Sequence, residues 1–224
     1  MAKIMFLGPS GSGKTTLARF IEEEYGIPFI SGSYSDLVPS TRNVKHVDML
    51  NKSTNQLYSE EHQLLSLRAR AFKDVTSMVS DRSYLDNLSY FIFKLSQGTD
   101  QCSTEAFRDN IIQLLDRDCT HLIFIPYTDK MISTWKVEDN HKRVTNVFFQ
   151  WQISQIMWGL ISYFGYKRNI FKKLFLNINT GNIYPRCATS LDGNCKSTYH
   201  TPIKVLILDS SSLEKRKQDI RKFL

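Results

Sequence analysis

Apolar and polar positions alternate along this chain in two rhythms. Short apolar runs, at residues 3–7, 27–30, 75–80, 121–127 and 203–208, have the length of buried strands. Between them lie longer stretches with helical spacing: 16–25, 59–73, 84–95, 104–116, about 146–164, and 212–223. Gly26 is placed to end the first of these helices, and Ser59 is placed to cap the second. Strands that are apolar throughout and alternate with helices predict an α/β fold with a five-stranded parallel sheet covered on both faces. Residues 36–58 are polar and irregular and read as a mobile connection. The rhythm breaks again at 165–202, an insertion before the last strand. No internal repeat is present.

The first strand runs directly into Gly8-Pro9-Ser10-Gly11-Ser12-Gly13-Lys14-Thr15-Thr16. This fits G-x-x-x-x-G-K-[ST] at every fixed position, between a strand and a helix. Such a loop turns tightly enough for consecutive N–H groups to face one anion, and the helix N-terminus adds partial positive charge there. Gly8, Ser10, Gly11, Ser12, Gly13, Lys14, Thr15 and Thr16 are therefore the predicted triphosphate-binding residues. Lys14 can reach the β- and γ-phosphates, and the Thr15 hydroxyl can ligate Mg²⁺. ATP and Mg²⁺ are the expected ligands.

Asp81-Arg82-Ser83 closes the third predicted strand. A carboxylate at that place can hold Mg²⁺ through water, or take a proton from an acceptor hydroxyl. Arg82 can clamp a phosphoryl group or form a surface ion pair. Ser83 and Asp86 have capping-box spacing. Arg68 and Arg70, two apart, cannot share a helix face, so at most one of them enters a cleft.

The order GPSGSGKTT, SDRSYLDNLSY (80–90), HKRVTN (141–146) resembles the adenylate/thymidylate-kinase-like branch of P-loop proteins. Within it the chain is similar to small viral and bacterial nucleotide and nucleoside kinases. The resemblance implies a three-layer P-loop kinase fold as one domain over 1–224. It also implies a lid at about 128–145 carrying Lys142 and Arg143. Its implied catalytic set is Lys14, Asp81, Arg82 and Arg143, with Thr15 and Asp81 at the metal. No NKxD-type guanine motif or LSGGQ signature occurs, and the chain is too short for a complete helicase or AAA+ motor.

Charge sharpens the picture of the acceptor. The net charge of +7 is uneven: residues 1–128 carry −2 and residues 129–224 carry +9. In the insertion, Lys167, Arg168, Lys172, Lys173, Arg186 and Lys196 interleave with Tyr166, Phe171, Phe175, Tyr184 and Tyr199. Basic groups neutralise phosphates and aromatic faces stack on unpaired bases; a β-hairpin with solvated lysines would read the same way. Size, motif order and basic excess resemble phage kinases of 5-hydroxymethylpyrimidines in DNA, so the first expectation is a hydroxymethyl acceptor in DNA. A kinase of free deoxynucleosides or their monophosphates stands nearly level, and a nucleotide-binding switch protein third. Cys187, Cys195 and His200 cluster without a zinc-finger spacing; they read as free cysteines in a loop, with zinc as the lesser alternative. Widely spaced cysteines, no apolar run near the ~20 residues of a membrane span, and no evident leader predict a cytoplasmic protein, in the host cytoplasm if viral.

Overall fold

A computed structural model describes residues 1–38, 53–95, 101–128, 147–167, 203–210 and 212–224. Residues 168–202 of the insertion, residues 129–145 of the lid segment with Lys142 and Arg143, and the Cys187, Cys195 and His200 cluster lie outside the described residues. The elements in order are β1 (Lys3–Leu7), α1 (Lys14–Tyr25), α2 (Tyr34–Leu37), α3 (Thr54–Lys73), β2 (Met78–Ser80), α4 (Tyr84–Leu95), α5 (Gln101–Asp118), β3 (His121–Phe124), α6 (Val147–Lys167), β4 (Lys204–Ile207) and α7 (Leu213–Phe223).

The strands form one parallel sheet in the order β2-β1-β3-β4. Successive side chains of β1 therefore go to opposite faces. Met5 and Leu7 join Leu122, Phe124 and Val205 under α3, α4, α5 and α6, where Phe72, Tyr84, Phe91, Phe107 and Met157 are buried. Ile4 and Phe6 join Ile123, Ile125 and Leu206 under α1 and α7, against Leu17, Ile21 and Ile220. Each such side chain contributes about 1.5–3 kcal/mol on burial, so both faces of β1 hold the strand that feeds the loop.

Among the described residues four strands form rather than five. The predicted strand at 27–30 makes a single parallel bridge, Phe29 to Val79. Pro28 has no N–H to donate. The outward N–H of Phe29 is taken by Glu22 at 3.0 Å instead of by another strand. That N–H, with Arg19, holds the Glu22 carboxyl below its ordinary value. The second predicted helix starts earlier than Ser59. Ser53 caps it through a full capping box with Gln56, so α3 begins at Thr54.

Candidate phosphate and metal site

Three glycines give the loop between β1 and α1 its shape. At Gly8 a Cβ would lie 2.6 Å from the Ile125 carbonyl oxygen, so only glycine lets the loop pass the end of β3. Gly13, with φ 89°, occupies the left-handed region at the N-cap of α1. It supplies no side-chain cap, which leaves the first-turn N–H groups of α1 for an anion. The Lys14 ammonium bonds to the carbonyls of Gly8 (2.7 Å) and Pro9 (2.6 Å) and, more weakly, to Ser12 Oγ (3.4 Å). Phosphate oxygens can replace these carbonyl partners without moving the charge away from the loop.

Pairing of β2 with β1 puts Asp81, just beyond β2, beside the first turn of α1. Thr15 Oγ1 donates to Asp81 Oδ2 at 2.7 Å. A hydroxyl whose proton is held by a carboxylate presents its lone pairs outward, where a hard cation takes them. The donor set fits Mg²⁺: one hydroxyl, one carboxylate 4 % exposed, and an adjacent phosphate loop. Among the described residues no cluster of three or more His, Cys, Asp or Glu side chains could hold a metal. A cation here would therefore depend on phosphate and water for its remaining ligands.

The other Asp81 oxygen accepts the Gly32 N–H at 3.1 Å. Gly32 belongs to the serine-rich turn after the Phe29 bridge, which Asp36 braces by accepting from Ser31 Oγ and Ser33 Oγ. The Gly32 carbonyl in turn accepts from Arg68 Nε at 2.8 Å. Of the two candidate arginines on α3, Arg68 is the buried one and Arg70 is exposed. Arg68 also donates to the Ser83 carbonyl and to Asn87 Oδ1. Burial pulls its pKa down, while Asp86, Glu61 and Asp81 support the charge. Asn87 Nδ2 donates to Glu61 Oε2 at 3.1 Å, and Glu61 Oε1 accepts from Lys94 at 2.8 Å. A continuous line of polar contacts thus runs from Thr15 through Asp81, Gly32, Arg68, Asn87 and Glu61 to Lys94.

Arg82 pairs with Asp86 at 3.1 Å, one helical turn on. Burial alone would favour the neutral guanidine, but Asp86, Tyr90 and Asp81 outweigh it and raise the Arg82 pKa. Asp86 accepts from Ser83 N at 2.8 Å as well, so it both caps α4 and orients Arg82. The structure therefore brings Lys14, Thr15, Asp81 and Arg82 to the carboxyl ends of β1 and β2. Gly32 and Arg216 were not apparent from sequence. Arg216 lies on the buried face of α7 with Asp219 and Ile220, and in a helix charged along most of its length nothing in the sequence singles it out.

A parallel sheet with a phosphate loop after β1 and a carboxylate at the neighbouring strand end defines a P-loop protein. Residues 3–166 match the AAA_28 family, described as an AAA domain, and the chain belongs to that family. Deoxyadenosine kinase from M. mycoides with bound dCTP has the same fold (TM-score 0.62, 12% identity, 98% of this chain and 97% of that one). The same enzyme with bound dATP gives a TM-score of 0.60 at 13% identity, over 100% and 98% of the two chains. NadR protein in complex with NAD and AMP-PNP is similar over 99% of this chain and 49% of that one (TM-score 0.54, 13% identity). No curated protein sequence matches the chain. Among the described residues no helix is long and apolar enough to cross a membrane.

Proposed function

We propose that this protein is an ATP- and Mg²⁺-dependent kinase that transfers the γ-phosphoryl group to a hydroxyl of a nucleoside-type acceptor. The observation that carries the reading is the Thr15–Asp81 contact at 2.7 Å beside Lys14. A bound Mg²⁺ would neutralise charge on the β- and γ-phosphates. Lys14 supplies a mobile positive charge at the same oxygens. The N–H groups of the loop and of the first turn of α1 orient the phosphate chain. Arg82, fixed by Asp86, presents a permanent charge beside Asp81 for the transferring group or the acceptor. Asp81 is engaged by Thr15 and Gly32, which favours its metal-holding role over that of general base.

A free deoxynucleoside is the preferred acceptor. The supporting observation is the agreement with deoxyadenosine kinase over nearly the full length of both chains. A hydroxymethylated base in DNA is the second reading, supported by the net +9 carried by residues 129–224. Incubation with γ-labelled ATP and Mg²⁺ separates them, with deoxynucleosides, deoxynucleoside monophosphates, normal DNA and hydroxymethylated DNA offered in parallel. Label on a free deoxynucleoside is the expected result. Label only on hydroxymethylated DNA would reverse the order, and label on no acceptor would leave a nucleotide-binding switch protein. For the DNA reading, changing Arg168, Lys172 and Lys173 to Ala should lower the slope of log K against log[salt] by roughly 0.7–0.9 per lost contact.

A further inference from the structure

Arg216 lies on the first turns of α7, far along the chain from the phosphate loop, yet it touches that loop. It is 5 % exposed. Its Nη1 donates to the Ser12 carbonyl at 2.9 Å, and its Nε donates to the Ser210 carbonyl in the turn after β4. The same Nη1 lies 3.6 Å from the place a Cβ on Gly13 would occupy. Its Nη2 is buried and has no hydrogen-bond partner among the described residues. Burial lowers the pKa of the guanidinium, and the nearby Asp209 charge offsets part of that effect. A buried cation that only fastened a helix would be a costly choice, because a leucine or methionine packs such a place more cheaply.

The geometry of the peptide group says what else it does. In a trans peptide the carbonyl of one residue and the N–H of the next point in opposite directions. No cis bond occurs among the described residues. An arginine that holds the Ser12 carbonyl on the outer side of the loop therefore aims the Gly13 N–H at the inner side. The inner side is where the loop and the first turn of α1 receive phosphate. Gly13, with φ 89° and no side chain, has the most freedom to turn this peptide over. The charge on Arg216 also strengthens its bond to the carbonyl and polarises the peptide toward a more acidic N–H.

We propose that Arg216 is a positioning residue of the phosphate loop. It locks the Ser12–Gly13 peptide with its N–H toward bound phosphate and couples that peptide to the turn at Ser210. This rests on the proposed triphosphate-binding function.

The test uses the full chain and two probes, Mg·ATP and inorganic tripolyphosphate, with affinities measured by calorimetry. Arg216→Gln removes the charge and the forked contact. It should weaken tripolyphosphate and ATP by about tenfold to a hundredfold, the range expected for losing a charge-assisted hydrogen bond. Arg216→Lys keeps the charge but cannot reach both carbonyls, and should fall between. Arg221→Ala is the control: Arg221 ties the same helix to Glu24 of α1 at the exposed surface. It should lower thermal stability slightly and leave tripolyphosphate affinity unchanged. Amide exchange at Gly13 should quicken in Arg216→Gln and not in Arg221→Ala.

Tripolyphosphate affinity of Arg216→Gln within twofold of wild type would overturn the proposal, as would an equal loss in Arg221→Ala. If Arg216→Gln does not fold, Arg216→Lys carries the comparison, and failure of both to fold makes Arg216 a scaffold residue and overturns it. Wild-type protein that binds neither probe removes the proposed function together with this inference. Wild-type binding with an unaffected variant removes this inference alone.

Discussion

Replacing Gly32 by alanine tests the site by adding one methyl group where no charge is altered. Gly32 does not use a left-handed φ, so the obstacle is space alone. The new Cβ would stand 2.7 Å from Arg82 Cβ and 3.0 Å from Ser80 Oγ. Ordinary contact begins near 3.4 Å, so the turn and Arg82 must separate by about 0.7 Å. A shift of that size straight away from β2 would lengthen the 3.1 Å bond from Gly32 N to Asp81 beyond hydrogen-bonding range. It would also disturb the Arg68 contact on the other side of the same residue. Overpacking of this kind costs about 1–3 kcal/mol in stability. Misplacement by up to 1 Å near reacting groups can cost up to about 10²-fold in rate.

The assay is a thermal melt paired with kcat and KM for labelled ATP, run beside Gly26→Ala. Gly26 has φ 64° and nothing within 4 Å of its Cβ position, so its substitution strains the backbone by about 1–2 kcal/mol, remote from Asp81. Gly32→Ala should lose both stability and turnover, and Gly26→Ala stability only. Wild-type kcat/KM in folded Gly32→Ala would refute the claim that this turn positions Asp81 and Arg82.

Three further outcomes are expected. Lys14→Ala should abolish phosphoryl transfer while the melting curve stays cooperative; turnover near the wild-type rate would remove the loop from the chemistry. Asp81→Asn keeps the shape and removes the charge beside Thr15, so it should raise the Mg²⁺ concentration needed for half-maximal rate by tenfold or more, and unchanged Mg²⁺ dependence would exclude a metal role. His121, whose pKa is depressed to about 4 by burial first and then by Lys204 and the N-terminus, is neutral when folded but takes up a proton when unfolded below about pH 6.5. The unfolded state binds more protons between those values, so the His121 contribution is full above pH 6.5 and is lost as pH falls toward 4. His121→Gln should flatten the melting temperature across that window, and parallel curves for the two proteins would contradict the assignment.

The fold was legible where one residue type is forced by geometry. The glycines at 8, 11 and 13, Lys14 and Thr15 announce the loop because few side chains suit those positions. Asp81 was legible because a polar triplet ends an apolar run. The second strand misled because apolar content does not reveal that Pro28 lacks a donor and that Glu22 claims the next N–H. The start of α3 misled because Ser53 and Ser59 are equally good caps in sequence, and only the reciprocal bond with Gln56 separates them. The spacing of Arg68 and Arg70 showed that they diverge, but which one turns inward depends on the packing of α3 against α4. Arg216 was hidden because its partners are backbone carbonyls, which leave no trace in side-chain identity.

The polar line from Thr15 to Lys94 has a consequence for anyone who engineers this protein. Arg68, Asn87 and Glu61 fill a buried seam between α3 and α4 that leucine and methionine could fill at least as well. A search that selects only for thermal resistance will therefore be drawn to this seam. Its winners there would fold tightly while letting Gly32, and with it Asp81, drift. Gains elsewhere, such as on the exposed faces of α1 and α7, carry no such penalty, so screening for stability and screening for turnover should part company first at Arg68.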